Sequence, residues 1–367
     1  MQLSVPPPGP GATAWSPETV TSDPYNAQTP SAALAAPLTP ADALFVRNHF
    51  EVPDLPADRW RLRIDGAVGT PYSVGYEELT AFPHREVDVV VECAGNGRTS
   101  MSPRPSGLPW GQRAVGCARF AGVPFGLLAE RAGVDPAAVE FVFTGADSGT
   151  VRGRHVPFAR GLPRALALHP DTLLATRLDG APLTPRHGAP VRLVVPGRFA
   201  VADVKWLTGA RAVTEPFEGV FQTEEYVYVD SAGRAGEPVG ALLVKSVITA
   251  PEPDEDLRRG RETEVRGHAW SGGGVAVRRV EVRAVHEDEP NEPDSPEGGW
   301  HDAELGRPSG PYAWTDWSVR WTPRTPGRYR ILARATDAAG AVQPVRAAWN
   351  AGGYGCNPVA VTEVVVV

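Results

Sequence analysis

From about Val244 to the C-terminus the chain reads as short strands and little else, and this constrains the fold more than any other feature. "KSVITAP", "ETEVRGHAWSG", "AVRRVEVRAVHE", "WTDWSVRWTP", "GRYRILARATDAAG" and "VAVTEVVVV" are apolar runs separated by Pro, Gly and Asp turns. Val280, Val282 and Ala284 alternate with Arg279, Glu281 and Arg283, the period of a strand with one buried and one wet face. Roughly seven strands in about 120 residues predict an Ig-like all-β sandwich over 244–367, with "EDEPNEPDSPEGG" as an acidic solvated loop. Upstream, over 41–243, strand-like runs ("RWRLRIDG", "VDVVVECA", "VEFVFTGAD", "VRLVVPG") alternate with helical patterns ("SVGYEELTAF", "FAGVPFGLLAERAG", "PFARGLPRALA"). The expected fold is therefore α+β, a mixed α/β domain followed by the sandwich. Residues 1–40, rich in Pro, Ala, Ser and Thr without periodicity, predict an extended or disordered segment that Trp15 and Tyr25 pin to the body.

Composition narrows the partners. The net charge is −7 and no lysine-rich block exists, so neither nucleic acid nor an acidic membrane surface finds an electrostatic footprint. No apolar run approaches the roughly 18 residues of a membrane span. Cys93, Cys117 and Cys356 are an odd set without paired spacing, and the first basic residue is Arg47. Both features fit a reducing compartment and no secretory signal, hence a cytoplasmic protein. Lys205 and Lys245 are the only lysines among 36 Lys plus Arg.

Three segments concentrate chemistry. In "VVVECAGNGRTS" an apolar strand runs into Cys93 and then a turn of small residues through which backbone approaches a bulky ligand. A free cysteine here is either buried packing or, near arginines, a nucleophile or soft-metal ligand. In "LFVRNHFEVPDLP", Arg47 and His49 point to one face if extended. In "PRHGAPVRLVVPGRFAVADVKWLTGA", His187, Arg192 and Lys205 fall at strand ends and loops, where clustered basic residues make an anion site for a phosphate-bearing cofactor.

"FVRNH", "ECAGNGR", "PRHGAPVRLVVPG", "VKWL" and "GHAWSGGG", in this order, resemble the sulfite oxidase family of molybdenum enzymes, including the molybdenum domain of assimilatory nitrate reductases. The resemblance covers about 41–367 and implies a molybdopterin-binding domain, a dimerising sandwich and a homodimer. It implies molybdenum held by one molybdopterin, with Cys93 as its single protein ligand, and no haem. Carried over by motif, Phe45, Val46, Arg47, Asn48, His49, Asp147, His187, Arg192, Asp203, Val204 and Lys205 would hold the pterin and its phosphate. Arg47, Arg98, Trp110 and Tyr226 would line the substrate pocket, with Trp110 alternatively core and Tyr228 competing with Tyr226.

The implied activity is two-electron oxidation of sulfite, or of a related small sulfur compound, with electrons passed to an external acceptor. Two departures bear on the substrate. Gly97 precedes Arg98 where animal enzymes carry two arginines, and Gly352 in "WNAGGYGCN" stands where sulfite-oxidising members carry another. A pocket short of one cation predicts weak sulfite binding, and Gly352→Arg is expected to tighten it unless the backbone there needs a positive φ. Nitrate or sulfoxide reduction at the same centre is the enzymatic alternative. A non-catalytic binding module with a structural Cys93 is the other.

Overall fold

The computed structural model describes residues 15–289 and 299–367; the first part of the expected N-terminal tail and most of the acidic loop lie outside them. Strands dominate both halves, and helices are few and short, so the expectation of a mixed α/β first domain is corrected toward β. Two five-stranded sheets build that domain. One is antiparallel and includes Arg85–Glu92, Val115–Pro124 and Leu173–Leu178; the other includes Arg61–Gly66, Leu207–Val213, Glu140–Val151 and Arg154–Pro163. Among the described residues, no helix is long and apolar enough to cross a membrane.

The helix expected over "PFARGLPRALA" is a strand as far as Pro163, followed by one helical turn, Arg164–Ala167. Cross-strand pairing decides it: Arg160 faces Phe143 and Leu162 faces Phe141, which buries Leu162 in the core. Residues 15–40 also depart from the extended or disordered expectation. They form a hairpin, Glu18–Ser22 with Tyr25–Gln28, and a short helix, Ser31–Leu34. Ala27 exchanges both backbone hydrogen bonds with Val46, at 3.0 and 2.8 Å. Asn26, fully buried, donates to Thr21 Oγ1 and the Pro24 carbonyl and accepts from the Asn48 amide. Side-chain bonds of this kind leave no hydrophobic period in the sequence.

In the C-terminal part, a four-stranded sheet (Lys245–Ala250, Thr263–Trp270, Thr315–Trp321, Glu304–Leu305) faces a five-stranded one containing Val277–His286, Gly327–Asp337 and Ala360–Val366. Val265, Ala269 and Trp317 from the first meet Val280, Val282, Ile331 and Val364 from the second. The outer face is less wet than the alternation implied. Glu281 is buried there, held by Arg334 at 2.9 Å and Arg279 at 3.1 Å.

The two halves share one core, since Val247, Trp270 and Trp314 join the cluster built on Trp60, Phe125, Phe141 and Phe143. The strand Arg85–Glu92 lies at this junction, and its alternation positions the site. Val89, Val91 and Cys93 face one hydrophobic cluster, Val90 and Ala94 the other. Glu92 points away from Cys93 and is fully enclosed. Its carboxylate accepts from Lys245 Nζ at 2.8 Å, Asn96 Nδ2 at 2.9 Å and Trp270 Nε1 at 3.0 Å. Carboxylate and ammonium thus satisfy each other across the halves, which burial of charge demands.

Candidate active site

Two cavities meet at Cys93, and Arg47, His49, Cys93 and Tyr226 line both. The first also takes Phe45, Val46, Asp147, His187, Arg192, Asp203 and Lys205; the second takes Arg98 and Trp110. Three separate sequence segments therefore converge on one thiol. Asn48 and Val204 line neither cavity. Asn48 is buried behind it, accepting from Lys205 Nζ, and Val204 is core, its carbonyl accepting from the Leu193 amide at 2.8 Å. Tyr228 lines neither cavity, whereas Tyr226 lines both.

Charge in the first cavity is crowded and incompletely paired. Arg192 lies 3.7 Å from Asp203, whose Oδ1 accepts the Val195 amide at 2.8 Å. Burial pushes Asp203 up to about 7, against the pull of Arg192, and Asp147 up to about 6, against that of Lys205. Burial, then Arg192 and Lys205, drives His187 down to about 3, so its imidazole is neutral. Burial and the charge of Arg192 likewise hold Lys205 well below its ordinary value. Asp147 Oδ1, His187 Nε2 and Arg192 Nε are buried without a hydrogen-bond partner. Buried orphans of this kind are rare in native proteins and call for a ligand.

The Cys93 thiol is buried where the two cavities meet. Arg47 and Arg98 lower its pKa, but burial outweighs them and the thiol is pushed up. A soft metal that displaces the proton is the partner such a buried thiol suits. Among the described residues, no three His, Cys, Asp or Glu side chains are grouped to hold a metal ion. A metal at Cys93 would have that thiol as its ligand from the chain, leaving room for ligands from an organic cofactor. A pterin with its phosphate fits the orphaned donors and acceptor and the surplus of cations in the first cavity. Cys117, fully buried in the core with its thiol pushed up to about 12 by burial, lines neither cavity.

In the second cavity, Tyr226 has φ +58°, a strained conformation for a non-glycine residue. Its hydroxyl lies 2.7 Å from His49 Nε2, and burial, then Arg47 and Lys205, lowers the imidazole's pKa. Arg98 is buried and donates from Nε to the Gly352 carbonyl and from Nη1 to the Leu108 carbonyl, both at 2.8 Å. Gly97 adopts φ +87°, which explains a glycine where an arginine was the comparison.

Gly352 is different: its φ is not positive, yet a Cβ there would come within 2.2 Å of the Tyr354 ring. The backbone therefore does not stand against Gly352→Arg, but the Tyr354 ring would have to move for the arginine to enter and tighten sulfite binding. Tyr354 was missed in the sequence, as was Arg186, whose carbonyl accepts from Lys205 Nζ at 3.0 Å. Arg186 adjoins His187 in "PRHG", a signal within reach; Tyr354 sits far along the chain with no local mark.

Comparison with known proteins follows this geometry. Residues 49–221 match the family model "Oxidoreductase molybdopterin binding domain", and 237–362 match "Mo-co oxidoreductase dimerisation domain". The chain is 35% identical over 364 residues to mitochondrial sulfite oxidase of Homo sapiens, covering 91% of this chain and 63% of that protein. It is 34% identical over 352 residues to sulfite oxidase of Gallus gallus, covering 89% and 73%. A nitrate reductase [NADH] of Phaseolus vulgaris is 30% identical over 363 residues, covering 89% and 39%. The chain thus spans about 63% of the mammalian relatives it matches. The solved sulfane dehydrogenase SoxCD from Paracoccus pantotrophus superposes with a TM-score of 0.77 at 27% identity, covering 94% of this chain and 87% of that one. With these matches across both halves, the chain belongs to the sulfite oxidase family of molybdopterin-dependent oxidoreductases.

Proposed function

We propose that this protein oxidises sulfite, or a related small sulfur compound, by oxygen-atom transfer at a molybdenum–molybdopterin centre, and passes the electrons to an external acceptor. The observation that carries the reading is the junction: one thiol, Cys93, lies where a cavity of orphaned polar groups meets a cavity holding two arginines. When bound, the cofactor supplies two-electron redox chemistry and a transferable oxygen; the chain supplies binding, orientation and charge.

Asp147, His187, Arg192 and Lys205 would hold the pterin and its phosphate, and Cys93 the metal. Arg47, bonded to Asn26 Oδ1 and the Asn48 carbonyl, and Arg98, bonded to two backbone carbonyls, each keep N–H groups that would orient the oxygens of an anion. The half-buried, neutral His49 and the Tyr226 hydroxyl hold one hydrogen-bonding proton between them, beside Cys93. Trp110 and the neighbouring apolar side chains keep water from the anion, which strengthens each charged hydrogen bond to it. The C-terminal part would pair two copies into a homodimer.

The test joins metal analysis to an assay. Molybdenum-loaded protein should oxidise sulfite with an artificial one-electron acceptor. Cys93→Ser should retain the fold and most of the pterin while turnover collapses, and Cys117→Ser should retain turnover. Normal turnover in Cys93→Ser would sink the assignment. Nitrate reduction is a second reading, favoured by the nitrate reductase relative, and is read in the same preparation with a reduced dye as donor.

A further inference from the structure

The second cavity is amphipathic, and the element that makes it so comes from the C-terminal part of the chain. Its polar floor is Arg47, His49, Cys93 and Tyr226, while Leu108, Trp110, Val151, Phe221 and Tyr354 form the walls with Arg98. The only carboxylate lining it among the described residues, Glu225, is tied to Arg152 at 3.0 Å. Tyr354 is firmly placed. Its ring stacks on Tyr226 at 5.0 Å and 21°, and lies 5.5 Å from the Arg98 guanidinium. Its backbone is pinned in both directions by Asn350, at 2.9 and 2.8 Å. By filling the space above Gly352 it excludes a side chain, and so a third cation, from that wall.

A doubly charged oxyanion with three equivalent oxygens finds only two cations here, Arg47 and Arg98, and turning its third oxygen toward the apolar faces of Leu108, Phe221 and Tyr354 costs it hydration. Replacing that oxygen by carbon removes the mismatch. We infer that the preferred substrate is an organic sulfinate, R–SO2−, whose oxygens meet Arg47 and Arg98 and whose apolar group lies against Tyr354, Trp110 and Phe221. This rests on the oxygen-transfer reading above. The net reaction is R–SO2− + H2O → R–SO3− + 2 H+ + 2 e−. The sulfur lone pair becomes the new S–O bond and sulfur is oxidised by two electrons. Both O–H bonds of water break, the protons pass to solvent, and a one-electron carrier takes the electrons in two steps. Tyr354 acts as a specificity-determining residue.

The experiment compares benzenesulfinate with sulfite on molybdenum-loaded protein, using ferricyanide as acceptor. Small apolar groups in a fitted pocket discriminate by about 10- to 200-fold, so kcat/KM for benzenesulfinate should exceed that for sulfite by at least about tenfold. Tyr354→Phe should keep the preference, and Tyr354→Ala should lower the ratio of kcat/KM for benzenesulfinate to that for sulfite by about tenfold. Calorimetry supplies a readout independent of turnover: the loaded protein should bind benzenesulfonate at least about tenfold more tightly than sulfate, and Tyr354→Ala should erase that difference. Sulfite oxidation with equal or poorer use of benzenesulfinate overturns this inference and leaves the oxidase reading intact. Fully loaded protein that oxidises neither, or reduces nitrate instead, overturns the reading beneath it.

Discussion

Asp203 and Asp147 carry the cost of a site built for a ligand. Burial raises both above the ordinary 3.8, Asp203 to about 7 and Asp147 to about 6. Between 3.8 and those values the folded chain holds protons that the unfolded chain has released, so stability falls as pH rises through the window. Each such group contributes a slope of at most about 1.4 kcal/mol per pH unit. His187, lowered to about 3, and His49, also lowered, act with the opposite sign below the ordinary 6.5, so urea unfolding of the cofactor-free protein from pH 4 to pH 7 reads the aspartate contribution as a difference between variant and wild type. Asp203→Asn, which keeps an oxygen for the Val195 amide, should make the slope of stability against pH more positive than in wild type. An unchanged slope in that variant would remove Asp203 as its source. Much of the residue-level site was legible, because a thiol at a strand end and basic residues in glycine-bearing loops are unusual locally. Tyr354 was not, since its role comes from stacking on a residue 128 positions away.

The strand that presents Cys93 works because its two faces do different things. Odd positions from Val89 face the cavity-bearing cluster, while Glu92 reaches across to Lys245 at the start of a strand in the other half. Both charged side chains are only 3% exposed, so neither has water to fall back on. Lys245→Met leaves the carboxylate with two neutral donors and no cation, which should destabilise the protein by about 3–5 kcal/mol. Adding Glu92→Gln should recover most of that loss, because the amide needs no counter-charge. Chemical denaturation of the single and double variants measures both; equal stability of Lys245→Met and wild type would mean the pair is idle. The strands of the C-terminal part were readable since alternation is a local signal. The strand over 154–163 was not, because its apolar and charged residues follow no clean period and pairing with Glu140–Val151 decides its form.

On the scale of the whole molecule, the two halves interpenetrate, and this changes what truncation can test. Removing everything from about Val244 would strip Trp270 and Trp314 from the shared core, Lys245 from Glu92 and Tyr354 from the second cavity. Such a fragment should fail to fold, so it says nothing about assembly. A surface substitution is the sharper probe of the proposed dimer. On the outer face of the five-stranded sheet, Val285, Leu332 and Val359 form a small cluster, and Val361, directly across from Leu332, extends it at 52% exposure. An apolar extension of this kind on an open sheet face suits burial against a second copy related by a two-fold axis. Light scattering of the wild type should give about twice the 39.1 kDa chain mass. Val361→Asp, at a residue that lines neither cavity, should shift that mass toward the monomer while leaving cofactor content unchanged. A wild type that stays monomeric across a wide concentration range would refute the dimer. An undiminished dimer in Val361→Asp would place the contact on another face of the molecule.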